Sequence, residues 1–282
     1  MTATKGKEQQ TTVTPATPRK SFRRRFRGPI GGLILFLVLT GTWQWLTSAE
    51  IIHRVILPPP DDVAIAFFAT FTEGFFYQHL WVTVQEVLIG FVVGVVLGFS
   101  LGALLGSSSL AREICYPYIV AFQGLPKIVL APIFITAFGF GMMSKVMMAV
   151  VISFFPLLIN TMSGLMTVDA QSVQLMRSLT ASKRDIFWKL SVMHALPSIF
   201  AGVKVSLTLA LVGAIVGEFV GARAGLGFLL ASYSYQLQVD RVWAITMVLA
   251  MLGIILFLFI EWVDKKVVFW AKRGISDNVG LA

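Results

Sequence analysis

The chain has 282 residues, of which 56% are hydrophobic and only 13% are charged, and its mean hydropathy is +0.80. This composition leaves too little polar surface to coat a water-soluble protein, so it predicts an integral membrane protein. The net charge of +9 does not indicate nucleic-acid binding, because +7 of it lies in the first 28 residues, ahead of the first apolar stretch. A single cysteine, Cys115, excludes an intrachain disulfide, and the sequence indicates neither a metal site nor a cofactor.

The chain begins with a polar, basic segment, residues 1–28, which is predicted to be a disordered cytoplasmic tail. Six apolar stretches of 19 to 25 residues follow, each long enough to cross the hydrocarbon layer as a helix. They are Pro29–Thr47, Trp81–Leu105, Tyr116–Phe138, Val146–Leu165, Ile199–Val220 and Trp243–Trp262. A seventh run, Val63–Phe71, is too short to span and is predicted to be an interfacial helix. The predicted fold is therefore all-α with about six transmembrane helices.

The positions of lysine and arginine between these stretches predict the orientation of the chain. With both termini cytoplasmic, 17 of these cations lie in inside segments and 4 in outside segments, as expected for a bacterial inner-membrane protein. Residues 29–76 then form the first transmembrane helix and a periplasmic interfacial segment. Residues 77–262 form a transmembrane domain with a cytoplasmic loop at 166–198, and residues 263–282 form a cytoplasmic tail.

Two features inside the stretches are informative. Five glycines recur at every fourth residue from Gly90 to Gly106, which predicts a helix face for close packing. Charges inside spans are candidates for the translocation path, since an unpaired charge at mid-bilayer costs about 2.5–3.5 kcal/mol. These candidates are Lys127, Glu86 and Glu218.

The charged residues within the spans differ in what their positions suggest. Lys127 follows a proline halfway along its stretch, where a broken helix would line a cavity, so it could serve translocation or pair with Glu86 or Glu218. Glu218 lies near the outer end of its stretch, which favours a structural, hydrogen-bonded role. Lys204 lies at a cytoplasmic end and is expected to extend its ammonium toward water.

The cytoplasmic loop carries two sets of apolar residues at helical spacing, within Val173–Leu179 and Ile186–Met193. They predict two short amphipathic helices joined at Thr180–Lys183. Such helices could lie on the bilayer surface or dock a partner protein, and the spacing alone leaves both open. The candidate docking residues are Gln174, Arg177, Ser178, Leu179, Thr180, Ala181, Ser182, Lys183 and Asp185.

This loop resembles the coupling loop, or Glu-Ala-Ala loop, of the type I importer permeases in the ATP-binding-cassette (ABC) superfamily. The matching positions are Gln174-Leu175-Met176, Thr180-Ala181, Ile186-Phe187-Trp188 and Leu196-Pro197. Gln174 stands where that family has glutamate, and Thr180 stands where it has glycine. Further segments resemble its nitrate, sulfonate and taurine branch: Leu57-Pro58-Pro59-Pro60, Phe138-Gly139-Phe140-Gly141, Val216-Gly217-Glu218-Phe219 and Gly225-Leu226-Gly227-Phe228.

The resemblance implies a type I permease fold that forms the path for a small solute delivered by a periplasmic binding protein. It also implies a permease homodimer and cytosolic ABC ATPase subunits. The chain contains no Gly-x-x-x-x-Gly-Lys-Ser/Thr phosphate-binding loop, so we expect ATP hydrolysis in a separate subunit rather than in this one.

The substrate and one rival mechanism stay open at this point. Within the branch, Asp169–Ser182 and Gly217–Ala222 look most like permeases for pyrimidine thiamine precursors or riboflavin, whereas other members carry small anions such as nitrate, sulfonate, taurine or bicarbonate. The alternative is an ion-coupled secondary transporter that uses Lys127, Glu86 and Glu218 as a relay. A membrane-embedded enzyme is not indicated, because the three histidines are scattered along the chain.

Overall fold

The computed structural model describes residues 22–54 and 56–270, with side chains from residue 31 onward. Residues 1–21 of the predicted N-terminal tail and residues 271–282 of the predicted C-terminal tail lie outside the described residues. Every regular element within the described part is a helix. The chain divides into two units, residues 1–52 and 53–282.

The first unit contains one helix, α1, Phe22–Ser48, of 27 residues. It begins inside the segment predicted to be a disordered tail, so that prediction is wrong for residues 22–28. Arginine is a good helix former, and the helix extends back through the basic residues. All side chains from Leu33 to Leu39 are more than half exposed, which gives this part of α1 an apolar surface on every side, as lipid contact requires.

The second unit holds ten α-helices within the described residues. They are α2 (Pro60–Thr70), α3 (Gly74–Ser107), α4 (Ser109–Gly124), α5 (Leu130–Phe138), α6 (Met142–Met166), α7 (Ala170–Ser178), α8 (Lys183–Asp185), α9 (Val192–Gly221), α10 (Leu226–Tyr235) and α11 (Val239–Val267). A π-helical turn, Ile186–Ser191, joins α8 to α9, so that Lys183–Gly221 is one continuous helix of 39 residues. A 3-10 turn, Lys127–Val129, precedes α5.

Within the part of the chain that the structure describes, four helices are long and apolar enough to cross a membrane: α3, α6, the continuous helix Lys183–Gly221, and α11. The pair α4 and α5 adds a fifth crossing if the two are counted as one span, with a bend of 80° between them. The bend lies at Leu125–Pro126, as expected, because proline lacks an N–H and forces the residue before it into an extended conformation. These helices cover the second to sixth predicted stretches, and the crossing by α1 stays a prediction.

Glycines bring α3 against α6, which confirms the predicted packing role of the glycine stripe. A Cβ atom on Gly98 would lie 2.7 Å from the carbonyl oxygen of Phe154, and one on Gly102 would lie 2.6 Å from that of Leu158. Only a residue without a side chain allows backbones to approach this closely. The later glycine of α3 meets the later residue of α6, so the two helices run parallel.

On its other side α6 packs against α9 in the opposite direction. Gly217, near the end of α9, lies against Lys145 in the first turn of α6, and Gly202 lies against Leu157 further along. The two helices are therefore antiparallel. Residues 167–182 lie at one end of this unit, which we call the inner end, and α10 lies at the other, the outer end, in line with the charge distribution.

Two details differ from the sequence-based expectations. Lys204 does not extend toward water: its Nζ lies 2.6 Å from Oδ2 of Asp264 and ties α9 to α11 near the inner end. Both side chains of this pair are mostly buried, at 23% and 15% exposure. The sequence also gave no sign of α10, whose buried Leu226 and Leu229 pack with Ile245 of α11. This packing fixes the start of α10, which contributes to the site described next.

Candidate functional site

The inner loop begins with a capped helix. The two carboxylate oxygens of Asp169 accept hydrogen bonds from the backbone N–H groups of Gln171 and Ser172, at 3.2 and 3.0 Å. These backbone hydrogen bonds lower the pKa of the Asp169 carboxyl below its ordinary value, because they stabilise the charged form. The start of α7 is thus fixed by a side chain in the sequence just before it.

Helix α7 ends in a Schellman turn that has threonine where glycine is usual. The N–H of Ala181 donates to the carbonyl of Met176 and the N–H of Thr180 donates to that of Arg177, both at 3.0 Å. Thr180 has a φ of +59°, in the left-handed region. That conformation costs a residue other than glycine about 1–2 kcal/mol. The loop therefore adopts the left-handed turn that glycine usually forms at a helix end, with threonine in its place.

The next helix begins at once with a second cap. Oγ of Ser182 accepts from the N–H of Asp185 at 3.1 Å, and the carboxylate of Asp185 lies 2.5 Å from Nζ of Lys189. The predicted second short helix is wrong as a separate element, because its residues belong to the continuous helix Lys183–Gly221. Pro197 removes one hydrogen bond of this helix without ending it, since the helix is packed on both sides of the proline.

The nine predicted docking residues lie on the end of α7, on the turn that follows it and on the start of α8, at the inner end. Most of them are exposed, while Ala181 and Asp185 are half-buried. Two large apolar side chains of the same segment are exposed, Leu175 by 62% and Leu179 by 67%. A turn that is fixed by caps on both sides and carries exposed leucines is suited to binding a partner protein.

The outer end holds a buried charged cluster. Oε1 of Glu218 accepts from Oγ1 of Thr83 at 2.6 Å, and Oε2 accepts from the N–H of Gly227 at 2.5 Å. Thr83 in turn accepts from the N–H of Leu226 at 2.7 Å. Glu218 is thus hydrogen-bonded, as its position near the outer end of the span suggested, and its place among the translocation-path candidates stays a prediction. These hydrogen bonds fasten the start of α10 to both α3 and α9.

The cation of this cluster is Lys145, which the sequence interpretation placed in an outer loop. Its ammonium donates to the carbonyl oxygens of Phe140 and Gly141, at 2.6 and 3.0 Å, and faces the carboxyl groups of Glu86 and Glu218. All three charged side chains are 1–2% exposed. The predicted span began at Val146, whereas α6 begins four residues earlier and so draws Lys145 inside. The sequence offered one signal for this cluster: two predicted spans each contain a carboxyl group, and a lysine lies at the edge of a third predicted span.

Lys127 lies elsewhere, so the structure does not assemble the three candidates of the translocation path into one group. Its Nζ donates to the carbonyl of Gln123 at 3.3 Å and lies 5.2 Å from the ring centre of Phe155. It lines a cavity of about 440 Å³ next to the break between α4 and α5. Glu86 and Glu218 have Lys145 as their cation instead.

Residues 94–269 match the family described as the binding-protein-dependent transport system inner membrane component. The chain belongs to this family. It is 33% identical over 240 residues to the formylaminopyrimidine transport permease protein ThiX of Halalkalibacterium halodurans, covering 85% of this chain and 95% of ThiX. It is 32% identical over 264 residues to the riboflavin transport system permease protein RibX of Chloroflexus aurantiacus, covering 93% and 98%. The putative aliphatic sulfonates transport permease protein SsuC of Bacillus subtilis is 28% identical over 259 residues, covering 92% and 94%.

Solved structures share the fold. The MetNI methionine ABC transporter, in an inward-facing conformation, matches with a TM-score of 0.56 and 20% identity over 68% of this chain and 94% of the matched chain. An amino acid ABC transporter matches with a TM-score of 0.54 and 18% identity over 73% and 96%. The chain is thus a multi-pass inner-membrane permease of an ABC importer in the nitrate, sulfonate and taurine branch, which confirms the predicted family and fold.

Proposed function

We propose that two copies of this permease form the translocation path of an importer, and that a separate ATPase subunit supplies the energy by binding the turn Thr180–Lys183. A periplasmic binding protein delivers the solute at the outer end. The observation that carries this proposal is the capped turn between α7 and the continuous helix Lys183–Gly221. A force applied at that turn acts directly on a helix that crosses the membrane.

The break between α4 and α5 supports the pairing of two copies. Irregular backbone at membrane depth is tolerated only where protein or a water-filled cavity surrounds it. Many side chains near the break are exposed in the single chain, including Leu125, Ile128 and Val129. A second copy that covers this face and encloses an aqueous path would give the backbone at the break its hydrogen-bond partners. It would also give the ammonium of Lys127 a hydrated environment.

The names of the relatives leave two chemical classes of substrate. Formylaminopyrimidine and riboflavin are planar aromatic heterocycles, whereas aliphatic sulfonates are small flexible anions. Both classes are candidates for this importer, together with nitrate and bicarbonate. The rival mechanism, a secondary transporter with an ion relay, has no support in the described residues, because Lys127 lies apart from Glu86 and Glu218.

The substitution Ala181→Trp tests the coupling role. If the turn sits in a groove of the ATPase, a large side chain should clash there, and overpacking a fitted contact costs about 1–3 kcal/mol. The ATPase should then bind roughly one to two orders of magnitude more weakly, at about 1.4 kcal/mol per decade. The measurement is the amount of ATPase that co-purifies with the permease, together with solute uptake.

Ala170→Trp is the matched control, because Ala170 is an exposed alanine on α7 away from the turn. An added tryptophan favours the bilayer surface at either position, so a loop that only lies on the membrane would tolerate both variants. Full ATPase recovery and normal uptake with Ala181→Trp would refute the proposed docking site.

A further inference from the structure

The cavity beside Lys127 has the size and lining of a small-molecule site. Its volume of about 440 Å³ lies within the range of roughly 300–1,000 Å³ that is usual for such sites. Four phenylalanines contribute to its wall: Phe122 from α4, Phe134 from α5, and Phe154 and Phe155 from α6. The rings of Phe154 and Phe155 are 5.0 Å apart and nearly perpendicular, so they present a face and an edge side by side.

Lys127 is the only charged residue among the described residues that line this cavity. Its ammonium has three N–H donors, of which one is used by the carbonyl of Gln123. Two donors are therefore left for a ligand. The position of the ammonium over Phe155 places these donors next to an aromatic surface, so that one ligand can stack and accept a hydrogen bond at the same time.

A planar heterocycle satisfies this lining better than a small anion does. Aromatic rings pack favourably against other rings in offset or edge-to-face arrangements, and a ring carbonyl or ring nitrogen can accept from Lys127. A compact sulfonate or nitrate would give up hydration to the apolar walls and regain hydrogen bonds from one lysine only, which is costly. A cationic ligand would be repelled by the same ammonium.

We propose that this cavity binds a planar, uncharged or anionic aromatic heterocycle, with an acceptor edge at Lys127 and its ring against Phe155. The proposal rests on the import function proposed above and names the class of solute that passes. It places a binding step inside the permease in addition to recognition by the separate binding protein.

The test uses the permease–ATPase complex in phosphatidylcholine nanodiscs, without binding protein, and lumichrome as a fluorescent planar heterocycle. Lumichrome should bind saturably, aminopyrimidine should displace it, and taurine should not. Lys127→Met should weaken lumichrome binding at least about tenfold, because a charged donor is lost. Phe155→Leu should weaken it by about two- to tenfold, because ring contacts are lost while apolar volume is kept.

Phe259→Leu on α11 is the matched control, since Phe259 is 58% exposed and does not line the cavity. It should bind lumichrome as the wild type does. Absence of lumichrome binding, equal displacement by taurine, or equal affinity in the Lys127→Met and Phe155→Leu variants would overturn the proposal. Loss of lumichrome binding in nanodiscs that contain phosphatidylglycerol would also overturn it, because the cavity would then belong to an anionic lipid.

The two proposals can fail separately. Co-purification of the ATPase with the Ala181→Trp variant tests the coupling role and does not depend on any solute. Lumichrome binding to the wild-type complex tests the cavity and does not depend on ATP hydrolysis. A complex that couples normally but does not bind lumichrome would contradict only the inference about the cavity.

Discussion

The two ends of the continuous helix Lys183–Gly221 are stabilised in opposite ways. At the outer end Glu218 is 1% exposed, accepts hydrogen bonds from Thr83 and Gly227, and interacts electrostatically with the nearby Lys145. At the inner end the ion pair between Asp185 and Lys189 is solvent-accessible, with side-chain exposures of 39% and 72%. Buried pairs are costly to break, whereas exposed pairs contribute about 0–1 kcal/mol.

This difference suggests a division of roles along one helix. The outer end connects α3, α6 and α9 through buried polar groups, so removal of one leaves a buried partner without its hydrogen bond. The inner end exposes its polar groups and small side chains, so it can exchange water for a protein partner at little cost. A helix that is fixed at one end and accessible at the other can transmit a displacement from the partner to the membrane.

The largest expected effect comes from Lys145→Met. It removes the ammonium that donates to the carbonyl oxygens of Phe140 and Gly141 and takes the nearby cation away from the buried carboxyl groups of Glu86 and Glu218. Each hydrogen bond from a charged group contributes about 1.5–3 kcal/mol. The variant should be poorly folded or should unfold at a much lower temperature in detergent. Thermal unfolding followed by size-exclusion chromatography measures this.

Two further variants decide whether the charge is the cause. Adding Glu86→Gln to Lys145→Met should recover part of the lost stability, because one carboxyl fewer is then without a cation. Lys189→Met removes the exposed lysine at the inner end and should change stability by less than about 1 kcal/mol. Equal losses from Lys145→Met and Lys189→Met would contradict the proposed difference between the two ends.

The glycine contact between α3 and α6 is expected to show an intermediate effect. In Gly102→Ala the new Cβ would lie 2.6 Å from the carbonyl oxygen of Leu158 and 2.8 Å from Cβ of Thr161, so α3 and α6 must separate. Such overpacking costs about 1–3 kcal/mol. Gly32→Ala on α1 is the control, because nothing lies within 4 Å of the Cβ it would create. A shift of the unfolding temperature in the control that equals the shift in Gly102→Ala would contradict the packing role.

Much of the fold could be predicted because it depends on local properties of the sequence. The length of an apolar stretch decides whether it spans, and a proline at 126 breaks a helix wherever that helix lies. The spacing of Gly98 and Gly102 by one turn identifies a packing face before its partner is known. The turn Thr180–Lys183 was located for the same reason, since the apolar spacing on both sides of it lies within a single loop.

What could not be predicted depends on residues that are distant in the sequence. The meeting of Glu86, Lys145 and Glu218 requires the relative directions of α3, α6 and α9, which hydropathy does not contain. The pairing of Lys204 with Asp264 is missed for the same reason. The aromatic cavity is formed by side chains from four helices, so that no single segment carries its pattern.

The smallest expected effect lies at the turn itself and tests whether Thr180 is strained. Because Thr180 has a φ of +59°, Thr180→Gly should remove most of the cost of the left-handed conformation, about 1 kcal/mol after allowing for the greater freedom of glycine in the open loop. Hydrogen–deuterium exchange of the Ala181 amide, which is bonded to the carbonyl of Met176, should then slow by about fivefold in the isolated permease.

Thr180→Val is the matched control for this measurement, since valine keeps the branched shape and the unfavourable conformation of threonine. Its exchange rate should stay close to that of the wild type, unless the hydroxyl itself stabilises the turn. Faster exchange in Thr180→Gly would mean that threonine restricts the open loop more than it strains the closed turn. The inner end would then owe its order to the side chain at 180, and the glycine of the resembling permeases would be the more flexible choice for the same turn.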